Sequence, residues 1–415
     1  MVTDDPTPHL KRFRTYQEAV REFRWLIPQR INLASAICRR HPDAVTRIAL
    51  SDIKFGGINT YTFGGLDYLS DKFASALSAC NVKPNDAVAV ALPPSAAWAV
   101  AHFGALKTGS VVVPLPPSSN VSFIEYILGA INAKVLILNE ALFSALQGTE
   151  PGLKNRATYF VVRDLRPTQE ALESQKDFWS EIDRCPSDFA AREIDVDSPS
   201  FIFYVERNGK TLGIVHSVRS VISQFAGFEF FNEFDTSAVF WVGDDWCSPS
   251  AVLGALYPAW WYGCSIVASG LGERGIVRRT LDECEITNIF LAGNDSSRQQ
   301  AEGPSNIFPN TRLNEAYGTA ETGWLMGYSR KWLEESDRPL CRVVPGRFVE
   351  IVDHSGNELP AGIVGQIAVH KSDTGLFSGY QGETSEAASH DWFLIPEYGY
   401  KTATGEVRIT GRKGE

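Results

Sequence analysis

Seven residues, Tyr317-Gly318-Thr319-Ala320-Glu321-Thr322-Gly323, bring an aromatic ring, two threonine hydroxyls and one carboxylate together in a stretch bounded by glycine. Such a stretch suits a turn that holds a nucleotide. The ring offers a stacking face to a base, the hydroxyls and backbone N–H groups can donate to phosphate oxygens, and Glu321 can hold a hard cation such as Mg²⁺ through oxygen. The alternative at this point is a glycine-bounded loop with a solvated carboxylate, and the rest of the chain has to decide. Other chemistry is thinner. His216 could touch a phosphate or be a satisfied structural residue. Ser248 and Ser250 lie near Asp244 and Asp245 but lack the glycine frame of a nucleophile elbow, which argues against a hydrolase. The seven cysteines lie far apart without a C-x-x-C pair, which argues for reduced, buried thiols and against a zinc site.

The elements that would position these residues follow from periodicity. Leu66, Leu69, Phe73, Leu77 and Cys80 recur at helical spacing and lead into an apolar run at 87–92, a helix followed by a buried strand. The rhythm continues with helices over 96–107 and 121–132 and strands over 110–115 and 135–138. A polar stretch at 164–198 is expected to cross between subdomains, and strands resume at 201–204, 238–242 and 264–268. From about residue 345 the texture changes to antiparallel hairpins, 348–352 with 366–370 and 399–400 with 406–410. The expected fold class is therefore α/β, with two mostly parallel, doubly wound subdomains and a small C-terminal β-barrel-like subdomain. The expected spans are 1–195, 196–340 and 341–415.

Composition limits the partners. The 415 residues are 44% hydrophobic, ample for more than one core, and a net charge of −10 argues against a nucleic-acid or membrane-surface partner. The apolar stretches at 87–117 and 254–270 are interrupted by Pro93, Pro94, His102, Lys107 and Pro258, so they read as core and no membrane span is expected. Asp4, Asp5 and Pro6 stand where a secretory leader would be basic and apolar, so a cytoplasmic address is expected.

Read in order, several segments resemble adenylate-forming (AMP-binding) enzymes. They are Tyr61-Thr62-Phe63, Lys107-Thr108-Gly109 before Pro114, Ala316 through Gly323, the Asp353/Gly356/Asn357 turn, Gly375-Leu376-Phe377-Ser378-Gly379-Tyr380, Asp391-Trp392-Phe393 and Gly411-Arg412. The opening Phe23-Arg24-Trp25-Leu26-Ile27-Pro28 and the middle Asp245-Trp246 before Leu256-Tyr257-Pro258-Ala259-Trp260 are similar to the acetyl-CoA and medium-chain acyl-CoA synthetase branch. The similarity runs from about residue 20 to about residue 413. It implies a ligase that joins a small carboxylic acid to ATP, releases pyrophosphate and passes the acyl group to coenzyme A. It also implies roles: Tyr317 and Gly318 at the adenine, Thr319 at the α-phosphate, Glu321 on Mg²⁺, Glu397 at the ribose where the family has Asp, and Arg412 hydrogen-bonding the ribose. Surface charge near a hairpin is the alternative for Glu397 and Arg412. Trp246, Trp324 and Met326 are candidate acyl-pocket linings, with simple packing as the alternative.

The departures from the family weigh equally. Its phosphate loop, a Ser/Thr/Gly-rich turn ending in Lys-Gly, corresponds here to Tyr204 through Gly213, with Asn208, Gly209, Lys210, Thr211 and Gly213 as the candidate phosphate contacts. This stretch has lost most hydroxyls, gained Glu206, and carries Leu212 where the Lys is expected. A carboxylate beside a triphosphate is repulsive by roughly a kcal/mol or more, so ordinary ATP binding is not expected there. The adenine segment is reduced to Gly293, Asn294 and Asp295, and Ala320 replaces a Thr. The resemblance places a mobile lid domain beyond Arg412, and since the sequence stops at Glu415 the lid is expected to be absent, with a separate lid or partner protein needed for full activity. Two function classes stay open: an impaired or lid-dependent acyl-CoA-synthetase-like ligase, and a non-catalytic relative that binds a nucleotide, an acyl group or another protein.

Overall fold

The run Ala-Val-Ala-Val-Ala at Ala87–Ala91 lies inside a mostly parallel sheet, and all five residues are buried. Small and β-branched side chains suit a strand covered on both faces. The computed structural model describes residues 10–54, 57–147, 157–163, 175–243, 245–269, 283–290, 314–333, 340–382 and 391–412. Within it this sheet runs in the order Lys210–Ser217, Pro199–Arg207, Val111–Pro114, Ala87–Ala91, Val135–Asn139, Thr158–Val162, Gln175–Asp177. Its first two strands form an antiparallel hairpin and the others are parallel. A second sheet orders Asn288–Phe290, Val239–Val242, Ser265–Ala268, Ile48–Lys54, Gly57–Thr62, and only its last pair is antiparallel. Both sheets belong to one compact unit, drawn from 29–218 and 235–292, and a second unit is drawn from 1–28, 219–234 and 293–415. The units are thus interleaved along the chain. The three consecutive spans expected from the sequence cross these boundaries and stand as a proposal.

The helix Ala96–Thr108 is buried on every side, as its lack of a polar face requires. Ser95 caps it by accepting from the Trp98 N–H, Asp52 accepts from the Ala96 N–H at 3.1 Å, and Gly109 ends it at φ 80°. Lys107, at its last turn, is fully buried yet charged. Its Nζ donates to Asp67 Oδ1 and Asp71 Oδ1, each at 2.6 Å, and Arg39 binds the other oxygens of the same two carboxylates at 2.8 and 3.0 Å. Asp67 and Asp71 lie one turn apart on the helix Phe63–Ala79, which is why one ammonium reaches both.

The same unit buries Trp98, Trp246, Trp260 and Tyr257 completely. Each large ring removes on the order of 200 Å² from water, about 5 kcal/mol of driving force. His102 stacks on Trp98 with centroids 3.5 Å apart, and its Nδ1 lies 3.4 Å from Tyr257 Oη. Burial holds the imidazole pKa well below its ordinary value.

In the other unit, a three-stranded antiparallel sheet (Glu315–Thr319, Gly323–Tyr328, Arg342–Val343) accompanies a four-stranded one in the order Val349–Val352, Gly365–His370, Trp392–Lys401, Val407–Arg412. Both hairpins expected late in the chain are present. The polar stretch at 164–198, where it is described, holds the strand Gln175–Asp177 and the helix Phe178–Arg184, which buries only Phe178 and Ile182. A helix with so small an apolar face leaves little periodic signal.

His102 generates a pH prediction. The unfolded imidazole takes a proton below about 6.5 and the folded one does not, so stability should fall as pH drops through that value. Urea melts between pH 7.5 and 5 should lose up to roughly 1.4 kcal/mol per pH unit more for the unsubstituted chain than for His102→Gln. Equal slopes would rule out a buried neutral His102.

Candidate nucleotide site

The glycine-bounded segment forms a tight antiparallel hairpin in which Thr319 faces Gly323 and Gly318 faces Trp324, with Ala320, Glu321 and Thr322 in the turn. Glycine is required at both ends. A Cβ on Gly318 would stand 1.8 Å from the Gly323 carbonyl oxygen, and Gly323 has φ 58° with the Gln224 amide 2.1 Å from where its Cβ would be. The turn uses its own donors. The Thr319 N–H donates to Thr322 Oγ1 (2.9 Å), the Glu321 N–H to Thr319 Oγ1 (3.3 Å), and the Thr322 N–H to the Thr319 carbonyl (3.2 Å). Thr322 Oγ1 donates to the Gly323 carbonyl at 3.0 Å and lies 3.2 Å from Thr319 Oγ1. With one proton per hydroxyl, both have acceptors inside the turn.

Two polar side chains fix this turn from the inside. Arg347 is fully buried, ion-paired with Asp373 at 2.8 Å, and its remaining donors reach the carbonyls of Trp324 (2.7 Å) and Thr322 (2.9 Å). Asp373 accepts in turn from the N–H groups of Phe348 (2.7 Å) and Gly375 (2.8 Å). Gln224 accepts from the Trp324 N–H at 2.9 Å and donates to the Thr322 and Gly375 carbonyls. The segment Gly375 through Tyr380 is thereby drawn around Glu321. The Phe377 N–H donates to the Glu321 carbonyl at 2.8 Å, and the Tyr380 hydroxyl donates to Glu321 Oε1 at 2.9 Å. Glu321 is completely buried.

Leu325 and Met326 of this hairpin share a core with Val349, Ile351, Ile367, Val369, Ile395 and Val407, and Tyr317 packs at its edge. Period-two alternation puts Glu397 on the same strand face as Ile395. Glu397 is 6% exposed and lies directly across from Arg412, whose Nε is 3.4 Å from Oε1, while Oε2 is buried with no hydrogen-bond partner. A buried acceptor left open is costly, and it suits hydroxyl donors such as those of a sugar. The two carboxylates singled out in the sequence, Glu321 and Glu397, are thus set around one hydrophobic core. Glu321 offers carboxylate oxygen, the donor type that fits Mg²⁺ completing its shell with phosphate oxygens and water, whereas both lone pairs of Thr322 Oγ1 are taken inside the turn.

The candidate phosphate contacts belong to the other unit and form a two-residue hairpin. Arg207 pairs with Lys210 across Asn208 (φ 53°) and Gly209 (φ 71°), the left-handed pair of a type I′ turn. The N–H groups of Lys210, Leu212 and Ile214 therefore point into the ladder toward Arg207, Val205 and Phe203, and those of Thr211 and Gly213 point the opposite way. Successive N–H groups that alternate cannot converge on one phosphate as a loop's can. Glu206 through Lys210 are exposed, and His216 is buried against Phe203. Trp246 is buried beside Trp98 and Trp260 in this unit, while Trp324, half-buried against Phe231, and Met326 belong to the other. Gly293, Asn294 and Asp295 lie outside the described residues. The sequence carries no role for Gln224, Arg347 or Asp373. Tyr380 ends the Gly375–Tyr380 motif, and Arg347 has only the signal of a charge next to a strand start.

The family described as AMP-binding enzyme matches residues 35–272. The human Acyl-coenzyme A synthetase ACSM3, mitochondrial, is 23% identical over 449 residues, spanning 99% of this chain and 74% of that protein. Among solved structures, the Brucella canis acyl-CoA synthetase superposes with a TM-score of 0.85 at 17% identity, covering 97% of this chain and 80% of that one. The anthranilate CoA ligase AuaEII in complex with anthranoyl-AMP gives 0.77 at 17% identity, with 93% and 79% covered. At such identities the structural likeness speaks to the fold.

Removing Arg347 should be severe, because Asp373 would be left as a buried charge. Arg347→Met is expected to cost about 3–5 kcal/mol in urea denaturation, and Arg347→Met with Asp373→Leu distinctly less. Additive losses in the double variant would contradict the pairing.

Proposed function

This chain belongs to the AMP-binding enzyme family, and from that premise we propose that it is the core of an acyl-CoA-synthetase-like, AMP-dependent ligase. The observation that carries this reading is the buried, open Oε2 of Glu397, facing Arg412 across the strand pair and sharing a core with the Tyr317 hairpin. Tyr317 offers a face to adenine, Glu397 accepts from the ribose, Thr319 lies at the α-phosphate, and Glu321 would hold Mg²⁺ with phosphate oxygens. When bound, the cation would neutralise negative charge at the phosphates. In the reaction a carboxylate oxygen bonds to the α-phosphorus of ATP as pyrophosphate leaves, and the coenzyme A thiol then takes the acyl group from AMP. The names of the relatives, an acyl-coenzyme A synthetase and a CoA ligase, support this class of substrate.

Within that class we favour impaired catalysis, with nucleotide monophosphate binding kept. What supports it is the exposed hairpin at 206–210, which presents Glu206 and an alternating N–H ladder in place of a cradle for the β- and γ-phosphates. The hydroxyl protons consumed inside the Thr319–Thr322 turn add to the same deficit. A nucleotide- or acyl-binding relative without turnover is the limiting case.

Pyrophosphate release with a panel of short and medium carboxylic acids, alongside AMP and ATP titrations, tests both levels. Measurable AMP binding, ATP no tighter than AMP, and slow release are expected. Brisk turnover by the purified chain would remove the impairment, and failure to bind AMP would remove the ligase-core reading. Glu206→Ser should tighten ATP by about fivefold, the equivalent of roughly a kcal/mol of relieved repulsion, and leave AMP unchanged.

A further inference from the structure

Resting on the reading of Glu321 as the cation-holding carboxylate, we infer that Tyr380 is the positioning residue that sets how that carboxylate is presented. Its hydroxyl donates to Glu321 Oε1 at 2.9 Å, and the Glu321 backbone is held separately by the Phe377 N–H at 2.8 Å. A glutamate has three side-chain torsions, and burial restricts them without by itself choosing the plane of the carboxylate. One charge-assisted bond to Oε1 fixes the plane of the carboxylate and therefore the direction in which its second oxygen points.

Tyr380 is itself anchored. Its ring meets Phe377 edge-on at 4.8 Å, and Phe377 meets Phe393 at 5.3 Å, so the phenol is tied to the four-stranded sheet that carries Glu397. The Gly375 end of the same segment is fixed by Asp373 and Gln224, the groups that also fix the Thr322–Trp324 carbonyls through Arg347 and Gln224. Donor and acceptor are thus referred to one buried framework, the arrangement a rigid ligand set needs. The phenol acts through Glu321 and is assigned no contact with substrate.

The test uses the full chain with AMP and Mn²⁺, the free ion being counted by its magnetic resonance signal. Tyr380→Phe removes the hydroxyl and keeps the ring. Mn²⁺ affinity of the AMP complex should fall roughly tenfold, the scale of one hydrogen bond to a charged acceptor, while AMP affinity without metal stays within about twofold. In a Glu321→Gln background the same Tyr380 substitution should change Mn²⁺ affinity no further, which a general loosening of the fold would not reproduce. Unchanged or tighter Mn²⁺ binding by Tyr380→Phe, or equal weakening of AMP with and without metal, overturns the positioning role and leaves the nucleotide site standing. If the unsubstituted chain takes up neither AMP nor Mn²⁺, the reading of the site falls and this inference falls with it.

Discussion

A guanidinium sealed from water needs partners, and each of the three nitrogens of Arg347 has one, in Asp373 and the two carbonyls on either side of Gly323. Ion pairs of this kind add little net stability, because desolvation offsets most of the attraction. What they contribute is position. With Thr322 and Trp324 held, the backbone between and before them has one course, and Gln224 closes the remaining donor and acceptor on the opposite side. The burial of Glu321, the wrap of the Gly375–Tyr380 segment and the placing of Tyr317 at the edge of the β core all depend on that turn staying where it is.

The contrast with the hairpin at Asn208-Gly209 is one of backbone direction. A phosphate-binding loop works because consecutive amides curl toward a common centre, whereas a strand throws them alternately to either side. The Asn-Gly pair commits the chain to the second geometry before any side chain is considered. The charge of Glu206 is a second, separate feature of the same hairpin.

Much of this was legible from the residues. The fully apolar strands, the helix Ala96–Thr108 and both late hairpins follow from period and turn chemistry, whereas the pairing of Glu397 with Arg412 comes only from the strand register. Asn208-Gly209 carries its own signal, a strong one for a two-residue turn, which the comparison with a phosphate loop obscures. The framework of Arg347, Asp373 and Gln224 was not legible, because a buried charge and an exposed one look alike in sequence, and these partners stand 26 and more residues apart. Tyr380 sat in view without a role, since only the fold brings its hydroxyl to a carboxylate 59 positions earlier.

The interleaving of the two units has a further consequence, in the order of events as the polypeptide emerges. Tyr16 donates to the Val343 carbonyl and Trp25 to that of Gly346, so these early residues meet their partners only after more than three hundred others have been added. Until then Trp25 has its neighbour Phe23, and Tyr16 must wait for Phe230, with Trp332 arriving later still. Closing so long a loop is slow and leaves apolar surface open to wrong pairings. The unit built from 29–218 and 235–292 has most of its contacts available sooner. Biogenesis should therefore run from the middle of the chain outward, with the unit that carries the Thr319–Gly323 hairpin the last to condense and the first to benefit from a chaperone.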